Sequence, residues 1–300
     1  MSLSLLEQPA RACASDPLNR PDSDVRVLRR VRIEEGPTGR GDPDAGAVAV
    51  VLDVETTGFD PGEDAVIELA FRRLRHDAEG VVTRVGRLYS WREDPGRPIP
   101  PDVVRLTGLT DADVAGASID APLATRLLAE AATIVAHNAS FDLRFVERRL
   151  PGLGTPRWAC SMAEVDWPAH GFDGRKLGYL LAQCGWFHDA HSASGDVDAV
   201  VALLRHPMPD GRPALGHLLE SAAEEVWRVR AVGARISLKD QLKRRGYRWD
   251  PDGKVWHRCV ADRQREDERA WLAGCIYAPE FNPFGAEPEW DCLGEGRRHA

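Results

Sequence analysis

From Ala47 to Val54 the sequence reads AVAVVLDV, apolar on both faces of an extended chain up to Asp53. A strand with one wet face would alternate; this one must sit inside a sheet, covered on both sides by other elements. Its surroundings supply those elements. Val66 to Leu74 and Val81 to Trp91 read as further strands, joined by the turn-like stretch His76 to Gly80, and Asp94 to Pro101 is Pro-rich loop. Ala121 to Ala131 reads as helix, Thr133 to His137 as strand and Phe141 to Leu150 as helix. Leu177, Leu180, Leu181 and Cys184 share one stripe, and Val197, Val200, Val201 and Leu204 recur at i, i+3, i+4 and i+7. Strands followed by strand–helix alternation predict an α/β fold with helices on both faces of a sheet.

Outside this central domain, taken as residues 46–207, the patterning changes. Residues 1–45 are rich in proline, glycine and alternating charge and predict a weakly ordered N-terminal arm. Within it, Val25 to Ile33 alternates apolar residues with arginine and suits a docking arm or a short edge strand. Residues 225–278 predict a small basic α+β module. It holds a strand at Val226 to Val232, a short helix at Leu238 to Arg245, a hairpin turning at Pro251-Asp252-Gly253, and a charged helix at Asp262 to Ile276. A loose Gly/Pro-rich tail is expected over residues 279–300.

Composition excludes whole classes. The 300 residues are 43% hydrophobic and 29% charged, as in an ordinary globular protein. The longest strongly apolar stretch, Ala45 to Leu52, is far too short to span a bilayer, and no signal peptide is visible at Met1 to Ala10. The expectation is a cytoplasmic protein with no membrane partner. Six cysteines without a C-x-x-C pair predict free thiols rather than a disulfide framework or a zinc site. The net charge of −8 speaks against a sequence-indifferent nucleic-acid coat. Charge is unevenly spread: from Glu225 to Tyr277 thirteen Lys/Arg face eight Asp/Glu, a local +5, and the remainder carries −13.

Asp53 and Glu55 lie two apart at the end of the apolar strand, so both carboxylates project to one side. Such a pair beside a buried strand needs a cation to offset it, or else is a solvated strand end. The following Thr56-Thr57-Gly58 offers hydroxyls and backbone N–H groups to a ligand. Asp142 follows the second strand and falls in the first turn of the next helix, where the helix dipole favours a carboxylate, as it would for any N-terminal acid. His191 and Asp196, five apart, would diverge by about 140° on one helix. Gly195 instead places His191 on an approach loop and Asp196 inside the helix. His137, His170 and His188 compete with His191 by type, as Asp198 does with Asp196.

The order of these residues resembles the DEDDh exonucleases, a family that includes ribonuclease T, oligoribonuclease and the epsilon proofreading subunit of bacterial DNA polymerase III. The resemblance rests on Asp53 to Gly58, His137 to Asp142, and His191 to Asp196, with Leu106-Thr107-Gly108 similar to the family's substrate loop, and it covers about residues 47–206. It implies a ribonuclease-H-like fold, a five-stranded mixed sheet flanked by helices. It further implies a 3′→5′ exonuclease that uses two divalent cations, Mg²⁺ or Mn²⁺. Asp53 would bridge the two ions, Glu55 and Asp196 would complete one, and Asp142 would support the other through water. His191 would be the general base, a task suited to histidine's ordinary pKa near 6.5. Thr56, Thr57, Gly58, Leu106, Thr107 and Gly108 would meet the substrate. Ser192 stands where the family commonly has arginine, and Trp158 to Met162 where many members carry Asp-Thr; both bear on substrate preference rather than on a metal ligand.

The expected partners are single-stranded nucleic acid 3′ ends, with DNA favoured, and a DNA polymerase as a further candidate; oligomeric state is not legible. The alternative is a catalytically silent nucleic-acid- or polymerase-binding subunit that keeps the fold. In the basic module, Lys243, Arg244 and Arg245 suit phosphate contacts, and Tyr247, Trp249 and Trp256 suit either base stacking or a small core. That stretch resembles a short module appended to some epsilon-like exonucleases.

Overall fold

The computed structural model describes residues 24–293. Residues 1–23 of the expected arm and 294–300 of the expected tail lie outside the described residues. The chain divides at Ala222/Ala223 into two compact units.

The first unit is built on a mixed sheet. Its strands are β2 (Gly36–Pro37), β3 (Ala47–Thr56), β4 (Val66–His76), β5 (Val82–Arg92), β6 (Thr133–Ala136) and β7 (Trp158–Cys160), in the order β2-β5-β4-β3-β6-β7. β3, β4 and β5 form an antiparallel meander, while β6 and β7 run parallel to β3. The architecture is the ribonuclease-H-like one, with six strands where five were expected. The extra strand comes from the arm: Gly36 and Pro37 pair with Val85 and Arg84 at the sheet's edge, where proline's missing N–H takes no ladder bond away. Nearer the N-terminus, β1 (Arg29–Arg30) pairs in parallel with β8 (Trp186–Phe187), so the Val25 to Ile33 segment docks as a short strand.

Ala49, Val50, Val51 and Leu52 of β3 are fully buried, as a strand apolar on both faces requires. Val50, Leu52 and Val54 face one layer, made by helices Ala121–Ala129 and Ala139–Arg149. Val51 faces the other, made by helices Leu177–Gln183, Ala193–Leu204 and Ala214–Ala223. Helix Ala193–Leu204 is buried nearly all round and carries a charge inward: Asp198 takes Arg72 Nε at 2.5 Å and Nη2 at 3.3 Å, and Arg72 also donates to the Gly86 carbonyl.

The second unit is a four-stranded antiparallel sheet, β10 (Arg248–Asp250), β11 (Val255–Ala261), β9 (Val226–Arg230) and β12 (Glu289–Cys292) in that order, with helices Lys239–Arg245 and Arg265–Cys275. β12 lies in the tail expected to be loose. It forms because Trp290, opposite Val229, packs on the unit's core and gives the Gly/Pro-rich segment an anchor. Among the described residues the cysteines are free, and no helix is long and apolar enough to cross a membrane.

Candidate active site

Alternation along β3 turns Asp53 and Glu55 toward the layer that holds helix Ala193–Leu204. Asp196 sits in the first turn of that helix, and the three carboxylates place oxygens within 4.8 Å of one another. Asp142 arrives from the opposite layer. It lies in the first turn of helix Ala139–Arg149, is buried, and accepts the Val54 N–H at 3.2 Å, which brings it to the end of β3. Thus the four carboxylates singled out in the sequence meet at one strand end.

A fifth carboxylate joins them that the sequence did not single out. Glu68 on β4 lies directly opposite Glu55 and is buried. It caps helix Ala193–Leu204, accepting the Ala193 N–H at 3.1 Å and the Ser194 hydroxyl at 3.3 Å. Ser192, at the capping position, makes no such bond from its own side chain. Only the β3–β4 register could have revealed this residue.

Such crowding has an electrostatic signature. Burial, then repulsion from Asp142, Asp196, Glu55 and Glu68, pushes Asp53 well above the usual carboxylate range. Burial, followed by Asp196, Glu68 and Asp142, pushes Glu55 up to about 8. Asp142 is pushed up to about 7, chiefly by burial, against the N–H bonds it accepts from its own backbone and from Val54. Like charges this close and this dry are unfavourable when all are ionised, and a divalent cation reverses the sign of the interaction. The donors are all carboxylate oxygens, the ligand type that hard divalent cations take.

The histidines divide by their partners. His191 is exposed and left-handed (φ 64°), and its N–H donates to Asp196 Oδ2 at 3.0 Å. The ring that meets Asp196 belongs to His188, with Nε2 2.7 Å from Oδ1. Both histidines lie on the loop leading into helix Ala193–Leu204. The loop packs so closely on the helix that a Cβ at Gly195 would stand 2.6 Å from the Asp189 carbonyl oxygen. The docked arm braces the same loop through β1–β8 pairing and an Arg30–Asp189 ion pair. His137 has both ring nitrogens occupied, by Ser161 Oγ and the Arg175 carbonyl, and its pKa is lowered by burial. His170 packs against His217.

The groups expected at the substrate are partly committed. The Thr56 hydroxyl donates to the Gly58 carbonyl, and the Thr57 N–H to the Ala65 carbonyl. The Thr57 hydroxyl sits between Asp64 and Arg97. These bonds fix the turn rather than reach outward. Phe59, 85% exposed and edge-on to Phe141, and Leu106, 50% exposed, are the apolar side chains presented to solvent nearby in sequence. Thr107 is tied to Val103 and Leu109, and Gly108 is the left-handed cap of helix Pro101–Thr107. In the second unit Lys243 and Arg244 are exposed. Arg245 is bound to Glu268 at 3.0 Å.

A family model described as exonuclease matches residues 50–204, just over half the chain. The DNA polymerase III subunit epsilon-like protein of Rhodobacter capsulatus is 39% identical over 103 residues, 33% of this chain but 14% of that protein. The DNA polymerase III subunit epsilon of Treponema pallidum is 27% identical over 184 residues, 57% of this chain and 81% of that one. Ribonuclease T of Shewanella frigidimarina is 30% identical over 126 residues, 37% and 57% of the respective chains. Among solved structures, exonuclease I aligns with a TM-score of 0.48 at 18% identity, covering 72% of this chain and 62% of the other. Exonuclease X bound to 5′-overhanging duplex DNA aligns at 0.40 and 24% identity, covering 52% and 89%.

Proposed function

This chain belongs to the exonuclease (RNase_T) family, and from that premise we propose that it removes nucleotides from the 3′ ends of single-stranded DNA. The observation that carries the reading is the approach of Asp53, Glu55 and Asp196 oxygens to within 4.8 Å, with Asp142 buried at the same strand end. Two divalent cations, Mg²⁺ or Mn²⁺, held by these four side chains would activate the attacking water and offset charge on the leaving oxygen. Asp53, whose carboxylate feels all of the others, would help to hold the ions. Glu55 also receives the terminal 3′-hydroxyl, above the turn that Thr56, Thr57 and Gly58 fix. Phe59 and Leu106 offer apolar surface to the terminal bases.

His191 takes the proton from the attacking water. Its exposed ring can reach a solvent-borne nucleophile, and its N–H bond to Asp196 sets the loop against a metal ligand. His188, already engaged with Asp196 Oδ1, holds that ligand in place instead. DNA is favoured, and the relatives named as polymerase III subunits make a DNA polymerase the first partner to test. The convergence of the carboxylates speaks against a catalytically silent subunit.

The test is digestion of 5′-labelled DNA and RNA oligomers of matched sequence, with Mn²⁺ or with chelator. Wild type should give a ladder shortening from the 3′ end with Mn²⁺ alone, and faster on DNA. Asp53→Ala should slow it by at least about 10²–10³-fold, the loss typical for one key electrostatic group. Equal, metal-independent rates for wild type and variant would overturn the reading.

A further inference from the structure

The second unit separates two tryptophans that face each other across one hairpin. Trp256, on the interior strand β11, belongs to the unit's core. Its cross-strand partner Trp249, on the edge strand β10, keeps 46% of its surface exposed, with the two rings 5.5 Å apart at 59°. Lys243 lies over the Trp256 ring, its Nζ 5.9 Å from the ring centre. Lys243, Arg244 and Lys254 are exposed and form no ion pair among the described residues. Nearby cations behave differently: Arg245 and Arg258 both close on the buried Glu268, at 3.0 and 2.9 Å. The adjacent Asp250 accepts the N–H groups of Asp252 and Gly253 inside the turn. A cavity of about 280 Å³ is lined by Gln241, Arg244, Arg245 and Trp271.

An indole that its own core leaves in water, beside cations without acidic partners, matches one ligand chemistry. The ring offers a flat apolar face, and the cations suit a polyanion. Bases in a duplex are already stacked, so the ring selects an unpaired one. We propose that this surface binds single-stranded nucleic acid, with Trp249 stacking on an unpaired base and Lys243, Arg244 and Lys254 holding flanking phosphates. The assignment deepens the exonuclease reading and rests on it for the identity of the polyanion.

The experiment uses the full chain and a 5′-fluorescein dT 20-mer, read by anisotropy with chelator present to stop turnover. Trp249→Ala should weaken binding by roughly ten-fold, and Trp249→Phe should restore most of it. Lys243→Gln with Arg244→Gln should lower the slope of log affinity against log salt by about 1.4, two phosphates at about 0.7 each. A blunt duplex of the same length should show no dependence on residue 249, and an RNA 20-mer reports whether the sugar matters. Hydrolysis of thymidine 5′-monophosphate p-nitrophenyl ester with Mn²⁺, which reads the carboxylate site alone, should be unchanged in Trp249→Ala. Unaltered 20-mer binding by Trp249→Ala, equal losses on single strand and duplex, or no oligomer binding by wild type would each overturn the proposal. If wild type hydrolyses neither ester nor oligomer while the Trp249 effect on binding persists, the exonuclease reading falls and this surface stands.

Discussion

Without divalent ions and at alkaline pH, Glu55→Gln should make the protein more stable. The Glu55 carboxyl rises from 4.5 to about 8, a rise of about 3.5 pH units. At about 1.4 kcal/mol per unit, the ionised form is disfavoured in the folded state by at most about 5 kcal/mol. Glu55 is only half-buried, and screening by the water that reaches it leaves about 1–2 kcal/mol as the working figure. The sign follows from linkage: the folded chain holds this proton more tightly than the unfolded one, so the penalty is absent below about 4.5. It grows between 4.5 and about 8 and is complete above. Glutamine keeps the shape and discards the charge. Thermal melts followed by circular dichroism from pH 4 to 9 in chelator should show almost no difference at pH 4 and a gap that widens above about 4.5. By pH 8.5 the variant should melt about 3–6 °C higher, at about 2–4 °C per kcal/mol for a unit of this size. Saturating Mn²⁺ should invert the order, since a ligand at 100 times its dissociation constant adds about 2.7 kcal/mol to the form that binds it. A difference independent of pH, or a variant less stable than wild type in chelator at every pH, would refute the argument. So would indifference of both proteins to Mn²⁺.

Four further expectations concern single side chains. His191→Ala should slow cleavage by about 10²–10⁴-fold with oligomer binding unchanged, and imidazole added to the buffer should recover part of the rate. His188→Gln should instead raise the Mn²⁺ concentration for half-maximal rate by about 10–100-fold, as loss of a group orienting a ligand does, with little change at saturating metal. In the first unit's core, Arg72→Met strips Asp198 of its partner and should cost about 2–3 kcal/mol by urea unfolding, below the fully buried case because Asp198 is partly exposed; Asp198→Asn should recover part of it. In the second unit, Glu268→Ala leaves Tyr247, Arg245 and Arg258 facing an empty site and should cost about 3–5 kcal/mol, with tryptophan fluorescence reporting early unfolding of that unit.

What could be read in advance depended on how local its cause was. The burial of Ala49 to Leu52 follows from a run with no polar face, and the shared side of Asp53 and Glu55 follows from strand periodicity alone. The entry of Asp196 into a helix, with His191 left on the loop, could be argued from Gly195 and the valine spacing. Features set by pairing between distant segments were hidden. Glu68 is one acid in an apolar strand until the β3–β4 register sets it against Glu55. The strands Gly36–Pro37 and Glu289–Cys292 carry little strand propensity and exist because an edge was available to them. Which histidine ring meets Asp196 turns on one left-handed residue, His191, and no spacing rule encodes that. The hairpin pattern places both tryptophans in strands; the order β10-β11-β9 makes one interior and the other an edge.

The placement of the carboxylates ties the candidate chemistry to the packing of the whole first unit. Asp53 and Glu55 belong to the sheet, Asp142 to a helix on one of its faces and Asp196 to a helix on the other, so convergence requires both layers to be seated at once. Repulsion among these groups works against that seating whenever they are ionised without a cation. What opposes it lies in the same two layers. Arg72 anchors helix Ala193–Leu204 through Asp198, while Glu68 fixes the helix's first turn by accepting the Ala193 N–H. On the other side, the Val54 N–H holds Asp142 against the strand. Each device uses a backbone amide or a buried ion pair, so none brings a fixed positive charge into the cluster itself. A lysine or arginine there would relieve the same repulsion and would also occupy the place of the cation. The cluster is therefore left short of positive charge by construction, and that deficit is what would give a divalent ion affinity for this strand end.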